Sequence, residues 1–251
     1  MPFRESEAFV LRAMQLGESD RIVTFLTRTA GKVRAVAKGA RRSRRRFGSN
    51  LEPLSRVRLT WFEREGSELG RVEAAELLES FYALQEDPER GAVLACFAEV
   101  ADAFAREQQE DEAFFRLLHA VLRAVRGGLD LDVAGRYFEI WTLRLHGVLR
   151  SLETCGSCGR EFGAGGSVFV RRESTIVCTR CAGAHRGGDV RLPGEVVRAA
   201  AAMLRRAPDA LPPLPAEGLR PIADLAAAIF ADLTDRRFRS DEVLQALRRP
   251  R

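Results

Sequence analysis

Over the first 80 residues the apolar positions fall in short runs with an alternating period, the pattern of strands lying half in a core. The runs Phe9–Leu11, Arg21–Leu26, Lys32–Lys38, Val57–Trp61 and Leu69–Val72 are divided by Gly17, Gly31, Gly39, Pro53 and Gly66. Glycine and proline are the strongest local punctuation of a strand pattern. Five short strands with no intervening helical run predict a small closed barrel of the OB or SH3 kind rather than a sandwich, with OB preferred.

After residue 80 the period becomes helical. Asp87-Pro88 reads as an N-cap followed by proline in the first helical position, where a missing N–H leaves no bond unmade. Val93, Phe97, Val100 and Phe104 then mark one face. Phe114, Leu117, Leu118, Val121, Leu122 and Val125 make a second stripe, which stops at Gly127-Gly128, and Phe138, Trp141, Leu145, Val148 and Leu149 make a third. Beyond a Cys- and Gly-rich stretch the pattern resumes with Val196, Val197, Ala200, Met203 and Leu204. Pro208, Pro212, Pro213, Pro215 and Pro221 interrupt it, before a stripe of Ile222, Leu225, Ala226, Ile229 and Leu233 and a last short helix capped by Ser240-Asp241-Glu242. The expected architecture is α+β: an N-terminal five-stranded OB-fold barrel, then an α-helical bundle carrying an inserted four-Cys zinc module. The corresponding divisions are 1–80 for the barrel, 81–150 with 191–251 for the helices, and 151–190 for the insert.

With 251 residues and 46% apolar content the chain is long enough to bury a substantial core. It lacks the roughly 18 uninterrupted apolar residues of a membrane-spanning helix, and the acidic, apolar-poor opening Met1-Pro2-Phe3-Arg4-Glu5-Ser6-Glu7 is unlike a secretory signal. The sequence therefore predicts a cytoplasmic protein with no membrane partner. Charge changes the picture more. The formal net charge of +5 hides +9 in residues 1–60, −11 in 61–113 and +7 in 114–251. Only Lys32 and Lys38 are lysines among 40 basic residues, a ratio that codon bias toward arginine explains; the clustering it does not.

Cys155-Gly-Ser-Cys158 and Cys178-Thr-Arg-Cys181, nineteen residues apart, match the spacing of a four-thiolate zinc site. The two-residue gap turns both thiolates of a knuckle toward one centre, and Gly156 and Gly159 suit the tight backbone this needs. Cys155, Cys158, Cys178 and Cys181 would fill a tetrahedron about a single Zn2+ and leave no position for water, which makes the site structural. Two disulfides are the alternative, disfavoured in a reducing compartment. His185 is better read as a surface residue of the Gly-rich loop than as a ligand, His119 and His146 as helix packing residues, and Cys96 as an inert core thiol. With three histidines and no triad, paired-carboxylate or phosphate-loop pattern, the residues predict no catalytic centre.

Between Arg28 and Arg58 stand eleven basic residues and one acid, Glu52. By strand parity Lys32, Arg34 and Lys38 share the face opposite Val33, Ala35 and Ala37 and lead into Arg41, Arg42, Arg44, Arg45 and Arg46. These eight residues are the candidate phosphate contacts, with Phe47 and Phe62 as candidates for stacking bases. The bland alternative is a solvated arginine loop that holds any polyanion.

Gly17-Glu18-Ser19-Asp20-Arg21-Ile22-Val23-Thr24-Phe25-Leu26-Thr27, then Gly31-Lys32, then Val36-Ala37-Lys38-Gly39-Ala40-Arg41-Arg42-Ser43-Arg44, resembles the amino-terminal signature of the bacterial RecO family of DNA repair proteins. The likeness extends over the whole chain, since that family joins an OB-fold to a helical domain with a four-Cys zinc module. The resemblance implies a nucleoid-associated recombination mediator. It would bind single- and double-stranded DNA, anneal complementary strands and, with RecR, help load RecA onto strands coated by single-stranded DNA-binding protein (SSB). The competing class is an RNA- or ribosome-binding module, where OB barrels and zinc ribbons also occur.

Overall fold

A computed structural model describes residues 3–40, 47, 49–63, 69–149, 151–183, 188–214, 216–234 and 238–247. The chain forms two compact units by its contacts, one of Met1–Leu118 with Phe238–Arg251 and the other of His119–Arg237.

The first unit is built on a closed barrel of five strands, β1 (Phe3–Leu16), β2 (Asp20–Thr27), β3 (Gly31–Ala37), β4 (Arg56–Phe62) and β5 (Gly70–Glu79), in the order β1-β2-β3-β5-β4. All five expected strands are present, and the OB-fold reading holds. β1 is far longer than its apolar run suggests because it pairs with two neighbours: its first half lies against β4 and its second against β2. The register shifts between Val10 and Arg12, a bulge that re-aims the second half of the strand and lets one strand serve both sides of a closed sheet. Leu54 N–H fills the gap by donating to the Val10 carbonyl at 2.7 Å. Closure comes from the parallel pairing of β3 with β5 at Ala35↔Gly70 and Val36↔Arg71. Val10, Val23, Phe25, Val33, Ala35, Val57, Leu59, Trp61 and Val72 fill the interior, so alternate residues of the same strands face outward.

α1 (Pro88–Phe104) starts as expected: the Asp87 carboxylate accepts from Arg90 N–H at 2.8 Å. Val93, Phe97, Val100 and Phe104 are buried. α6 (Arg239–Leu247) packs on α1. Ser240, expected as part of its cap, instead donates from Oγ to Glu99 Oε2 at 2.8 Å, because the helix begins one residue earlier and its hydroxyl faces α1. α2 (Glu112–Arg126) is capped by Asp111, whose carboxylate accepts from Phe114 N–H at 3.0 Å, and it ends before Gly127 as the sequence predicts. Phe115 packs on Phe9 with ring centroids 5.0 Å apart and planes tilted by 42°.

A tight hairpin of the barrel docks on the segment after α1. Gly31 stands at φ +61°, and a Cβ there would lie 2.0 Å from the Gln109 carbonyl oxygen and 2.5 Å from that of Arg106. Lys32 N–H donates to the Arg106 carbonyl at 2.8 Å. The Gly31-Lys32 pair of the signature is thus a docking point for backbone.

The second unit holds α3 (Leu131–Leu145), α4 (Gly194–Arg205) and α5 (Arg220–Thr234). Trp141 Nε1 donates to the Met203 carbonyl at 3.0 Å and Tyr137 Oη to that of Arg206 at 3.0 Å, which fixes α3 against α4. The α3 stripe was expected to run to Leu149. The helix stops at Leu145, where Gly147 N–H donates to Arg144 and Val148 N–H to Leu143, the paired bonds that terminate a helix at glycine. Leu233, expected on the buried stripe of α5, is 53% exposed. The Cys-rich insert contains more order than its composition suggests: β6 (Ser167–Val170), β7 (Thr175–Cys178) and β8 (Val190–Leu192) form a sheet in the order β7-β6-β8. Arg171 after β6 forms an ion pair with Asp232 of α5, with Nε donating to Oδ2 at 2.8 Å.

Candidate metal centre and nucleic-acid interface

The cysteines come together through local backbone geometry. In the first knuckle Cys155 N–H donates to the Arg160 carbonyl and Gly159 N–H to the Cys155 carbonyl, a tight reversal that turns Cys155 and Cys158 the same way. Gly156 lies so close to β7 that an added Cβ would sit 2.3 Å from Thr175 Oγ1. In the second knuckle Cys181 N–H and Ala182 N–H both donate to the Cys178 carbonyl at 3.0 Å. The ligand atoms of Cys155, Cys158, Cys178 and Cys181 all lie within 4.8 Å of one another, and Cys158 Sγ is 4.0 Å from Cys178 Sγ. Four sulfurs at about 2.3 Å around one ion are separated by about 3.8 Å, so the cluster has the dimensions of a four-thiolate site. No disulfide joins any of the five cysteines, so neither disulfide of the alternative reading is formed; Cys96, expected as a core thiol, is half-buried on α1.

The electrostatics favour thiolates at the buried end. Burial alone pushes the Cys155 thiol up, but the backbone N–H groups of Cys178, Cys158 and Ser157 outweigh it and bring it to about 6. Cys178 N–H donates directly to Cys155 Sγ at 3.2 Å. The Cys178 thiol is itself lowered, chiefly by the backbone N–H of Cys181. Cys181 is pushed up to about 12, chiefly by side-chain hydrogen bonds with Cys178 and Cys158 that favour its protonated form. Four soft sulfur donors suit zinc. His185 lies outside the described residues. His146 sits at the end of α3 with Nδ1 2.8 Å from the Thr142 carbonyl oxygen, and His119 is half-buried on α2.

On the barrel the structure separates the candidate phosphate contacts. Arg34 and Lys38 are exposed, opposite the buried Val33, Ala35 and Ala37, in agreement with the parity argument. Lys32 shares that parity but is engaged by α1: Nζ donates to the Asp102 carbonyl at 2.8 Å, lies 3.7 Å from Asp102 Oδ1, and leaves its side chain 16% exposed. Arg41, Arg42, Arg44, Arg45 and Arg46 lie outside the described residues. Phe47, considered for base stacking, is a core residue at 1% exposure, so it cannot meet a base. An aromatic side chain beside an arginine run was ambiguous in sequence, and the barrel's need for volume decided it.

Most other barrel arginines are neutralised locally. Arg4 pairs with Glu63, Arg21 with Glu52, Arg28 with Glu112, Arg56 with Glu7 and Glu79, and Arg58 with Glu5 and Glu76. Arg12, Arg34 and Lys38 carry no carboxylate partner among the described residues. Arg12 and Arg34 are both register partners of Thr24, so one cross-strand row over β1, β2 and β3 presents both guanidinium groups. Arg12 escaped sequence reasoning because the bulge after Val10 reverses the parity of β1. A positive surface therefore lies on β1-β2-β3, while on β1 and β4 the outward charges Glu5, Glu7, Arg56 and Arg58 compensate one another.

Comparison with known proteins agrees with this architecture. The family model described as "Recombination protein O N terminal" matches residues 1–81, and "Recombination protein O C terminal" matches residues 85–242. The DNA repair protein RecO of Anaeromyxobacter sp. (strain K) is 41% identical over 173 residues, covering 69% of this chain and 68% of that protein. RecO of Koribacter versatilis is 41% identical over 159 residues, covering 63% and 64%. RecO of Geobacter metallireducens is 36% identical over 181 residues, covering 72% and 73%.

Proposed function

Because the chain belongs to the RecO family of DNA repair proteins, we propose that it is a non-enzymatic recombination mediator that neutralises and pairs DNA strands on its barrel. The observation that carries this reading is the basic row of Arg12, Arg34 and Lys38, which meets no carboxylate among the described residues; in the sequence it is followed by Arg41, Arg42, Arg44, Arg45 and Arg46, which lie outside them. Two complementary strands repel through their phosphates, and a protein that binds both lowers that repulsion and releases counterions without nucleotide hydrolysis. Arginine suits this role because its planar fork grips phosphate oxygens in pairs. Lys32 belongs to the same strand face, but its bond to Asp102 argues that it contributes field rather than contact.

In this reading the protein acts on single- and double-stranded DNA at the nucleoid. It works with RecR to place RecA on strands coated by SSB, a role carried by family membership rather than by any surface described above. Residues 1–80 form the DNA-binding domain, 81–150 with 191–251 the helical domain, and 151–190 the metal module. Cys155, Cys158, Cys178 and Cys181 hold one structural Zn2+, whose chemistry is cross-linking alone, since four thiolates leave it no open position. No described helix is long and apolar enough to cross a membrane.

The test is annealing of complementary oligonucleotides precoated with SSB, without nucleotide or free metal. The expected result is annealing accelerated by the wild-type protein and lost in the Arg41→Ala, Arg42→Ala, Arg44→Ala, Arg45→Ala variant. No acceleration by wild type, together with selective binding of structured RNA, would favour an RNA-binding module instead.

A further inference from the structure

We infer that Phe3, Phe62 and Arg71 form a stacking site for unpaired bases of single-stranded DNA, placed where the basic row of the barrel ends. This inference rests on the DNA-binding reading above and adds a site that distinguishes single from double strands.

The strand register places the three residues side by side. Phe3 pairs with Phe62 across β1 and β4, and Phe62 with Arg71 across β4 and β5. Their neighbours Trp61 and Val72 are interior, so this row faces out. It continues through Arg71↔Val36, Val36↔Ile22 and Ile22↔Met14, running around the barrel to the second half of β1. The next rows carry Arg12 and Arg34 on one side and Lys38 on the other. Arg71 and Arg34 are two positions apart in this lattice, close enough for one strand to touch both.

The local geometry is that of an aromatic platform. Phe3 is 67% exposed, the most open large apolar side chain among the described residues, in a barrel that buries Phe9, Phe25 and Phe47. Its ring meets Phe62 edge to face, with centroids 5.8 Å apart and planes at 78°. That contact fixes the Phe3 ring while leaving a face open. Arg71 holds its guanidinium carbon 5.7 Å from the Phe62 centroid, within cation–π range. Arg71 has no carboxylate partner among the described residues, and its Nε, shut off from solvent, has no acceptor.

The charge pattern selects a nucleic-acid strand as the occupant. A base offers a π-face to Phe3 and its phosphate an anion to Arg71, and this combination recurs where single strands are bound without sequence preference. Along β1 and β4 away from Phe3 the outward residues become Glu5, Glu7, Arg56 and Arg58 in mutual ion pairs, which offer phosphate no free cation. The strand is therefore directed from Phe3 toward β3. In a duplex the bases are stacked on each other, so the platform acts on single strands only.

The experiment measures binding of a dT oligonucleotide and of an equally long abasic strand over a salt series. Wild-type protein is expected to prefer dT by about ten-fold, the size of one base–aromatic contact. Phe3→Ala, and Phe3→Ala with Phe62→Leu to retain the packing beneath, should bring that preference close to one. Abasic-strand affinity, duplex affinity and the salt slope should stay unchanged. A Phe3→Ala protein that keeps the wild-type preference, or a wild-type protein that binds both strands alike, overturns the stacking site while the DNA-binding reading stands. A wild-type protein with no salt-dependent affinity for either strand overturns both.

Discussion

Replacing Gly31 by alanine tests how the barrel is tied to the segment that follows α1. Two effects oppose each other. Alanine restricts the unfolded chain and would stabilise an ordinary site by about 0.4–1 kcal/mol. At Gly31 the native φ is +61°, a left-handed conformation that costs an L-residue about 1–2 kcal/mol. The added Cβ also falls 2.0 Å from the Gln109 oxygen, 2.5 Å from the Arg106 oxygen and 2.9 Å from the Gln109 carbonyl carbon. All three are backbone atoms, so relief requires the 106–109 segment to move away as a piece. That movement breaks the bond from Lys32 N–H to Arg106 and the longer one, 3.4 Å, from Gln108 N–H to Lys32, worth about 1 kcal/mol each. The net expectation is destabilisation by about 2–3.5 kcal/mol, well above that of an ordinary surface substitution. Gly39→Ala is the control, since Gly39 has φ +68° but nothing within 4 Å of its Cβ position; it should cost about 1 kcal/mol from strain alone. Urea unfolding gives both values, and amide exchange at Lys32 and Gln108 locates the damage. If the two variants were equally stable within about 0.5 kcal/mol and Lys32 stayed protected, the docking argument would be wrong, since its content is the difference between the two glycines.

Other expectations follow from the same geometry. Purified protein should carry one zinc, and Cys155→Ser should release it and expose residues 151–190 to proteolysis while the barrel stays folded; an ordered module without metal would refute this. Acidification should release the metal, because protons compete for the thiolates, Cys155 at about 6 among them. Lys32→Met should lower the stability of the barrel unit by about 1 kcal/mol and leave the salt slope of DNA binding unchanged, whereas Arg34→Ala should do the reverse, reducing the slope by about 0.7 for single strands; equal salt effects would return Lys32 to the phosphate contacts. Burial pushes Tyr137 up to about 12, so its neutral form stabilises the second unit fully below pH 10 and that stability is lost as pH rises from 10 through 12. The loss should amount to about 1–2 kcal/mol and should vanish in Tyr137→Phe, with unfolding midpoints across that pH window as the measurement.

Local pattern was sufficient for much of this protein. Alternation gave the five strands, because along an unbulged stretch a residue's side of a sheet follows its parity, and the helical stripes located α1 and α2 with their boundaries at Asp87 and before Gly127. The clustering of the four cysteines was equally legible, since two C-x2-C knuckles bend on backbone bonds that span at most five residues. What sequence could not supply was every property set by residues far apart in the chain. β1 extends to fourteen residues because β2 and β4 both claim it, and the bulge that reconciles them carries Arg12 to the outer face. Phe47 and Phe62 were both read from the sequence as stacking candidates, yet the barrel interior takes Phe47 and leaves Phe62 half-buried on the outer face. Lys32 and Arg34 share a strand face, but α1 brings Asp102 to the first alone. Burial and ion pairing are decided by which distant side chain arrives at a position, and that information exists only once the chain has closed on itself.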